Sequence, residues 1–279
     1  MKFARYGARG AEKPGLIDAD GKLRDLSGHV SDIAGDVLAD LDTLKSIDPA
    51  SLPLVEGEPR YGACVGGTHK FICIGLNYAD HAAESGMDVP PEPVIFAKFT
   101  SAICGPNDPI IIPRNSVKTD WEVELGLVIG KTAKYVAEED AMDHVAGFCL
   151  INDVSEREFQ AERAGQWVKG KSSDNFGPTG PWLVTPDEVG DFDNLGMWLE
   201  VNGERVQDGS TATMVYRVPF LVSYLSQFFT LEPGDIISTG TPPGVGLGFK
   251  PPRYLKAGDT VELGIEKLGT QKQICVDDK

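Results

Sequence analysis

Two glutamates interrupt an otherwise apolar segment of the chain. Glu122 and Glu124 lie in residues 121–129, WEVELGLVI, whose composition is typical of a buried β-strand. Side chains two residues apart on a strand point to the same face of the sheet, so the two carboxylates would lie together. Burying unpaired carboxylates is strongly unfavourable. Any fold of this chain must therefore either leave that face in solvent or supply positive charge to it.

A third acid follows a second apolar run. Residues 145–151, VAGFCLI, are followed by Asn and then Asp153. Three converging carboxylates without a nearby His or Cys ligand select a hard divalent cation, and the calcium-loop pattern DxDxDG is absent from the sequence. We therefore predict that Glu122, Glu124 and Asp153 bind Mg²⁺ or Mn²⁺. The pattern alone equally allows the two glutamates to face solvent, with the alternate apolar side chains facing the core.

The composition indicates a soluble protein that binds neither nucleic acid nor a membrane. The 279 residues are 41% hydrophobic, and the formal net charge is −16. Such acidity disfavours nucleic acid and anionic membrane surfaces, and an anionic substrate would need a metal ion, a lysine or an arginine nearby. The sequence shows no signal-peptide apolar region, no segment long enough to span a bilayer and no CxxC spacing among its five cysteines. These features predict a cytoplasmic location.

Residues 1–67 are predicted to form a small N-terminal α+β domain. Two short strands would flank the turn signal at Asp20-Gly21. One or two short helices are predicted within residues 32–47, and a Pro-rich extended connector follows at 49–59.

Residues 68–279 are predicted to form a mainly β domain. A hairpin turn is expected at residues 201–204, VNGE, and a helix at 218–229, where apolar residues recur at helical spacing. The predicted strands lie at 71–76, 94–97, 110–112, 121–129, 146–152, 181–184, 197–201, 235–239 and 260–265.

His81 and Glu84 are spaced three residues apart in a segment flanked by glycine, residues 75–86, GLNYADHAAESG. On a helical turn this spacing places the imidazole beside the carboxylate, and such a pair can take a proton from water. An ordinary pair on a helix surface has the same pattern. The motif alone therefore does not establish catalysis.

Residues 165–172, GQWVKGKS, match the P-loop pattern GxxxxGK[ST]. A P-loop follows a buried strand, whereas the preceding residues 155–163 are charged and helix-like, and Trp167 and Val168 are bulky. We therefore predict no nucleotide binding. Lys171 remains a candidate cation for binding an anion or polarising a carbonyl group.

Five motifs, in this order, resemble the fumarylacetoacetate hydrolase family over roughly residues 70–279. They are 74–84 (IGLNYADHAAE), 120–126 (DWEVELG), 152–160 (NDVSEREFQ), 170–172 (GKS) with 177–178 (GP), and 238–246 (STGTPPGVG). The resemblance implies a mainly β (α+β) fold, a mixed β-sandwich roll, usually assembled as a homodimer.

The resemblance also implies a role for each candidate residue. The metal ligands would be Glu122, Glu124 and Asp153, and the catalytic residues would be His81 and Glu84 on a lid, together with Lys171. The contacts to the oxo-acid end of the substrate would be Arg157, Gln160 and Thr241. Some larger relatives carry a further metal-binding aspartate before the histidine, where this chain has Asn77.

The reaction implied by the resemblance is hydrolysis of a carbon–carbon bond in a 2,4-dioxo acid, which gives pyruvate and a carboxylic acid. The cation and Lys171 would stabilise the pyruvate enolate, and His81 would activate water. The N-terminal section and the DWEVELG motif are most similar to bacterial members acting on 2,4-dioxo-3-deoxy sugar acids, such as the L-rhamnonate derivative. Oxaloacetate decarboxylase, ureidoglycolate lyase and a non-catalytic, metal-stabilised 2-oxo-acid-binding module are the alternatives.

Overall fold

The structure is a computed structural model that describes residues 1–80 and 90–278. The predicted catalytic pair, His81 and Glu84, lies outside the described residues. The described strands, β1 to β18 in chain order, are Lys2–Tyr6, Lys13–Ile17, Leu23–Asp25, Phe71–Gly75, Val94–Lys98, Ile103–Cys104, Ile110–Ile112, Thr119–Asp120, Val123–Ile129, Val145–Asn152, Ser155–Glu156, Gly177–Pro178, Leu183–Val184, Gly196–Val201, Glu204–Ser210, Ile236–Ser238, Thr260–Ile265 and Gly269–Asp277.

Helices are few and short. The α-helices described, α1 to α5, are Asp36–Ala39, Leu41–Leu44, Val168–Lys171, Pro186–Val189 and Val218–Phe228. Short 3₁₀ turns cover Pro49–Ser51, Thr100–Ala102, Glu138–His144, Thr211–Thr213 and Gly246–Gly248, and a π-helical turn covers Glu158–Glu162. Among the described residues, no helix is both long and apolar enough to cross a membrane.

Two large sheets build the fold. Nine strands form a mixed sheet in the order β3-β2-β1-β13-β10-β9-β16-β4-β5, and five strands form a second sheet in the order β15-β14-β17-β18-β7. In the first sheet β16 pairs in parallel with β4 and antiparallel with β9. The predicted mainly β, α+β fold class is confirmed.

Strand β9 is buried along its whole length because it lies near the middle of the nine-stranded sheet, which is covered on both faces. Its odd-numbered residues, 123–129, belong to a hydrophobic cluster shared with the second sheet and α5. Val128, on the opposite face, packs in a cluster with Leu38 of α1 and Leu41 of α2. The face that carries the two glutamates is therefore covered by protein.

The N-terminal section contributes three strands to this same sheet. Strand β1 pairs antiparallel with β13, with Lys2 opposite Val184 and Phe3 opposite Leu183, and β2 and β3 extend the sheet beyond β1. The predicted turn at Asp20-Gly21 and the short helices α1 and α2 are confirmed. The division into domains 1–67 and 68–279 stays a prediction.

Local sequence signals located several elements correctly. The predicted hairpin is formed by β14 and β15, with Val201 opposite Glu204, and its two turn residues have positive φ angles, 53° at Asn202 and 81° at Gly203. The predicted helix at 218–229 is α5. Strand β18 was not predicted, although it is the longest strand in the described part of the chain.

Candidate functional site

The three predicted metal ligands meet where β9 and β10 lie side by side. The antiparallel register places Ile151 opposite Glu124, and just beyond the end of β10 the amide of Asp153 donates to the carbonyl of Glu122 at 2.9 Å. One oxygen from each of the three carboxylates lies within 4.8 Å of the other two. Glu122, Glu124 and Asp153 are 6%, 2% and 0% exposed. The alternative that the glutamates face solvent is therefore wrong.

Two buried lysines bind this cluster. The Lys171 Nζ atom donates to Glu122 Oε2 at 2.7 Å and to Asp153 Oδ2 at 2.9 Å. The Lys98 Nζ atom lies 2.5 Å from Asp153 Oδ1 and 2.9 Å from the carbonyl oxygen of Val154. Together they supply the positive charge that burial of these carboxylates requires.

A buried arginine links the cluster to a fourth acid. The Arg157 guanidinium donates to Glu122 Oε1 and to Asp120 Oδ2, both at 2.7 Å. Asp120 also accepts from the backbone amides of Gly246 at 2.6 Å and Leu247 at 3.0 Å. Asp120 therefore fixes both the arginine and the loop beside it.

Glu124 is held by uncharged donors. Its Oε2 atom accepts from Ser238 Oγ at 2.6 Å and from the amide of Gly240 at 2.9 Å. The three cations are matched in number by Asp120, Glu122 and Asp153, and in the described part of the chain no ion pair to Glu124 is found. Among the described residues, Glu124 is therefore the acid of the site that has no cation partner.

The pKa values follow from this arrangement. Burial, reinforced by the negative charges of Asp153 and Glu122, raises the pKa of Glu124 well above its ordinary value. Burial also acts to raise the pKa of Glu122, but the charges of Lys171 and Arg157 outweigh it and lower that pKa. For Lys171, burial acts to lower the pKa, and the charges of Asp153 and Glu122 raise it overall. Without a bound cation, Glu124 thus favours its protonated form.

The donor set fits a hard divalent cation. Opposite oxygen ligands of such an ion are about 4 to 5 Å apart, and the three carboxylate oxygens all lie within 4.8 Å of one another, so a single ion could bind all three. Each ionised carboxylate has about four acceptor sites, so the hydrogen bonds from the lysines leave lone pairs available. Glu122, Glu124 and Asp153 could therefore hold Mg²⁺ or Mn²⁺, whose charge would favour ionisation of Glu124.

Glu122 and Glu124 of this cluster, together with Lys171 and Arg157, form the polar floor of a cavity of about 570 Å³, which is within the usual size range of ligand pockets. The predicted substrate contacts Arg157, Gln160 and Thr241 and the predicted catalytic residue Lys171 all line it. The Gln160 Oε1 atom accepts from Arg157 at 3.0 Å. The Thr241 hydroxyl donates to the Val123 carbonyl at 2.9 Å and accepts from the amide of Gln207 at 2.8 Å. Their roles toward a substrate stay predictions.

Asn77, which stands where some relatives have a further aspartate, is engaged elsewhere. Its side-chain amide donates to the Thr239 carbonyl at 2.7 Å and to the Tyr216 carbonyl at 3.0 Å, and its Oδ1 atom accepts from the Tyr216 amide at 2.7 Å. These bonds fix the segment after β4 against the loop after β16. Asn77 thus has a structural role, and the candidate metal site remains one of three carboxylates.

The P-loop-like segment has a different setting from a nucleotide-binding loop. It follows the π-helical turn Glu158–Glu162, and its last residues form α3. The side chain of Lys171 is directed to two carboxylates. This context differs from that of a P-loop, and the absence of nucleotide binding stays a prediction.

Sequence reasoning missed Lys98 and Asp120. Lys98 ends β5 on the same side of the strand as Phe96, and the available signal was a lone lysine at the end of an apolar run. Asp120 lies within the DWEVELG motif, but the sequence does not indicate that it binds Arg157. Ser238 likewise belonged to a recognised motif, and only the three-dimensional structure shows that it binds Glu124.

Residues 70–276 match the family model described as Fumarylacetoacetate (FAA) hydrolase C-terminal. The chain belongs to the fumarylacetoacetate hydrolase family. A protein of Burkholderia ambifaria is 66% identical over 276 residues, which are 98% of each chain, and its name gives only the general class hydrolase.

Solved structures share the whole fold. Fumarylacetoacetate hydrolase from Exiguobacterium antarcticum is 35% identical with a TM-score of 0.87, and both chains are fully covered. A 2-hydroxyhepta-2,4-diene-1,7-dioate isomerase from Mycobacterium marinum is 32% identical with a TM-score of 0.75 and covers 100% of this chain and 99% of its own. Maleylpyruvate hydrolase from Sphingobium, in complex with manganese(II) and pyruvate, is 28% identical with a TM-score of 0.82 and full coverage of both chains. The predicted family fold is confirmed.

Proposed function

We propose that this protein is a Mg²⁺- or Mn²⁺-dependent hydrolase that cleaves the carbon–carbon bond of a 2,4-dioxo acid to pyruvate and a carboxylic acid. The observation that carries this proposal is the buried cluster of Glu122, Glu124 and Asp153, which is bound by Lys171 and whose two glutamates line a cavity. The manganese and pyruvate of the Sphingobium maleylpyruvate hydrolase structure support a site of this kind in the family.

The reaction needs a nucleophile at C4 and a stabilised leaving group at C3. Water adds to the C4 carbonyl, the C3–C4 bond breaks, and its electron pair becomes the enolate of pyruvate, which takes a proton at C3. A divalent cation held by the three carboxylates would act as a Lewis acid toward the 2-oxo acid. Lys171 supplies a fixed positive charge beside the same place. His81 and Glu84 are proposed to take the proton from water.

The charges at the floor suit an anionic substrate. The chain as a whole carries a net charge of −16, which would repel a carboxylate. Lys98, Lys171 and Arg157 are all buried within this small region, and their charges are held in place by the acids around them. The addition of a divalent cation would leave this region net positive, which favours binding of a 2-oxo acid.

Oxaloacetate decarboxylation is the second candidate, because it produces the same enolate and needs no attacking water. The cluster of carboxylates and cations would serve both reactions. Only hydrolysis would need His81, because only hydrolysis uses an attacking water. Ureidoglycolate lyase and isomerisation, the activity in the name of the Mycobacterium marinum neighbour, use the same fold. The homodimer and the cytoplasmic location remain part of this proposal, and five buried free cysteines support a reducing compartment. A sugar acid is one candidate substrate among the 2,4-dioxo acids.

The test is pyruvate release from acetylpyruvate by protein stripped of metal with EDTA. We expect no cleavage until Mn²⁺ or Mg²⁺ is added, and an Asp153→Asn variant should lose at least 100-fold in kcat/KM. The matched control, Asp140→Asn, changes an exposed aspartate outside the cluster and should behave as wild type. Full cleavage without metal, or cleavage of oxaloacetate alone, would contradict the proposal.

A further inference from the structure

The cavity has a polar floor and an apolar wall. Besides the carboxylates and cations of the floor, its lining includes six large apolar side chains, which we call the wall: Ile74, Phe96, Trp167, Val245, Leu247 and Phe249. The rings of Phe96 and Trp167 meet edge to face, with their centroids 5.2 Å apart. A 2-oxo acid bound at the floor would leave most of the 570 Å³ volume to the rest of the substrate.

The wall is fixed directly to the floor. The Lys171 Nζ atom lies 4.9 Å from the centroid of the Phe96 ring. Trp167 packs on the backbone at Gly75, where an added Cβ would lie 2.9 Å from the indole ring. The amide of Leu247 is bound by Asp120, which also binds Arg157 of the floor. A substrate chain that extends from an oxo acid bound at the floor would therefore contact these apolar side chains.

The charged groups next to the wall are already paired or lie at its edge. Glu162 forms an ion pair with Lys118. The Arg253 guanidinium lies 5.0 Å from the centroid of the Phe249 ring and binds Glu204 at 2.9 Å. Lys250 also lines the cavity, but it is exposed. Among the described residues, the wall thus offers few partners for hydroxyl groups, and each buried hydroxyl without a partner lowers affinity about tenfold.

We infer that the acyl group of the substrate is apolar, an alkyl or aryl group of several carbons, and that Phe96, Trp167 and Leu247 determine this specificity. The inference rests on the proposed function, because it takes the 2-oxo acid to be bound at the floor. It makes a polyhydroxylated sugar acid a poor substrate. A dicarboxylic substrate is its main competitor, since Lys250 at the rim could receive a second carboxylate.

Binding is tested first, by calorimetry with Mn²⁺ present. The probes are pyruvate, 2-oxobutanoate, 2-oxohexanoate and phenylpyruvate. Each methylene that is buried should strengthen binding by about fourfold. The second measurement is kcat/KM for acetylpyruvate, hexanoylpyruvate, benzoylpyruvate, fumarylpyruvate and a 2,4-dioxo-3-deoxy sugar acid. Hexanoylpyruvate or benzoylpyruvate should exceed both polar substrates by at least tenfold.

Variants of the wall test whether its side chains determine the preference for an apolar acyl group. In Trp167→Ala and Leu247→Ser the ratio of kcat/KM for hexanoylpyruvate to that for acetylpyruvate should fall by about tenfold, while Trp167→Phe should keep most of it. Leu247 is 50% exposed, so its substitution should leave the fold intact. The matched control is Leu54→Ser, at a 42% exposed leucine of the N-terminal section, and its ratio should not change.

The possible outcomes distinguish a failure of the inference about the acyl group from a failure of the proposed function. If none of the 2-oxo acids binds, the proposed function fails and the inference fails with it. If all bind equally, or if fumarylpyruvate or the sugar acid is preferred, the inference alone is overturned. A ratio that is unchanged in both Trp167→Ala and Leu247→Ser would also overturn it.

Discussion

Substitution of Glu124 by glutamine should stabilise the metal-free protein and remove its response to divalent cations. Glu124 is the acid of the cluster without a cation partner among the described residues. A glutamine keeps the shape of the side chain and can accept the hydrogen bonds from Ser238 and Gly240 that Glu124 now accepts. It carries no charge, so it cannot serve as the third anionic ligand.

The expected sign of the stability change follows from the raised pKa of Glu124, caused by burial and by the charges of Asp153 and Glu122. The unfolded chain releases this proton above a pH of about 4.3, whereas the metal-free fold retains it. The stability of the wild type therefore falls as the pH rises from that value toward the raised pKa. Each pKa unit is worth about 1.4 kcal/mol, so Glu124→Gln should be more stable at pH 7 by on the order of 1 kcal/mol or more.

Urea denaturation of metal-free protein, followed by tryptophan fluorescence, measures this difference. It should be present at pH 7 and close to zero at pH 4, where Glu124 is protonated in both states. Addition of Mn²⁺ at 100 times its Kd should stabilise the wild type by about 2.7 kcal/mol, a rise in Tm of about 5 to 10 °C, and should leave the variant unchanged. Glu58→Gln, at an exposed glutamate, is the control. A variant that is less stable than wild type at pH 7, or equally stabilised by Mn²⁺, would refute this reasoning.

Three further predictions follow from the charged groups. Lys171→Met should lower kcat/KM for acetylpyruvate at least 100-fold and destabilise the fold by about 3 kcal/mol, because two buried carboxylates lose a partner; a kinetic loss below tenfold would contradict this. Asp108→Asn breaks the pair with Arg60, at 2.6 and 2.7 Å, and should cost about 2 kcal/mol at pH 7 in urea titrations. Burial acts to raise the pKa of Asp108, but Arg60 lowers it overall, so this loss should shrink as the pH falls below about 4, and a constant loss would count against it. Binding of Mn²⁺ should release a proton from Glu124 and tighten with rising pH, which calorimetry in two buffers of different ionisation enthalpy would show; no proton release would be the contrary result.

Many of the strands and turns of the two sheets were predictable because the sequence signals for them are local. The apolar runs of β9 and β10 and the turn at Asn202-Gly203 each depend on a few neighbouring residues. The orientation of the glutamates was not predictable from periodicity, because a strand covered on both faces is apolar at nearly every position. Their burial required the covering elements, which come from distant parts of the chain.

Strand β18 was not predicted because its pattern of burial does not follow the hydrophobicity of its residues. Gln271 and Gln273 are buried, whereas Ile274 is 54% exposed. The glutamine amides are satisfied by backbone carbonyls, with Gln271 donating to Leu150 at 2.9 Å and Gln273 to Pro106 at 2.5 Å. Such partners are tertiary contacts, so a scan for alternating apolar residues finds no strand there.

The candidate site was likewise predictable only in part. The three carboxylates could be predicted because acids within apolar strands are energetically anomalous. Lys98 could not be assigned, since it lies 55 residues before its partner Asp153 and only the pairing of strands brings the two together. The cations that make burial of the acids possible were thus the part of the site that required the structure.

Crystals grown with Mn²⁺ and oxalate, measured for anomalous scattering from manganese, test the central claim most directly. We predict one manganese peak within about 2.3 Å of oxygens from Glu122, Glu124 and Asp153, with oxalate bound to the same ion on the cavity side. A manganese peak elsewhere, or none at these carboxylates while Lys171 still bridges Glu122 and Asp153, would contradict it.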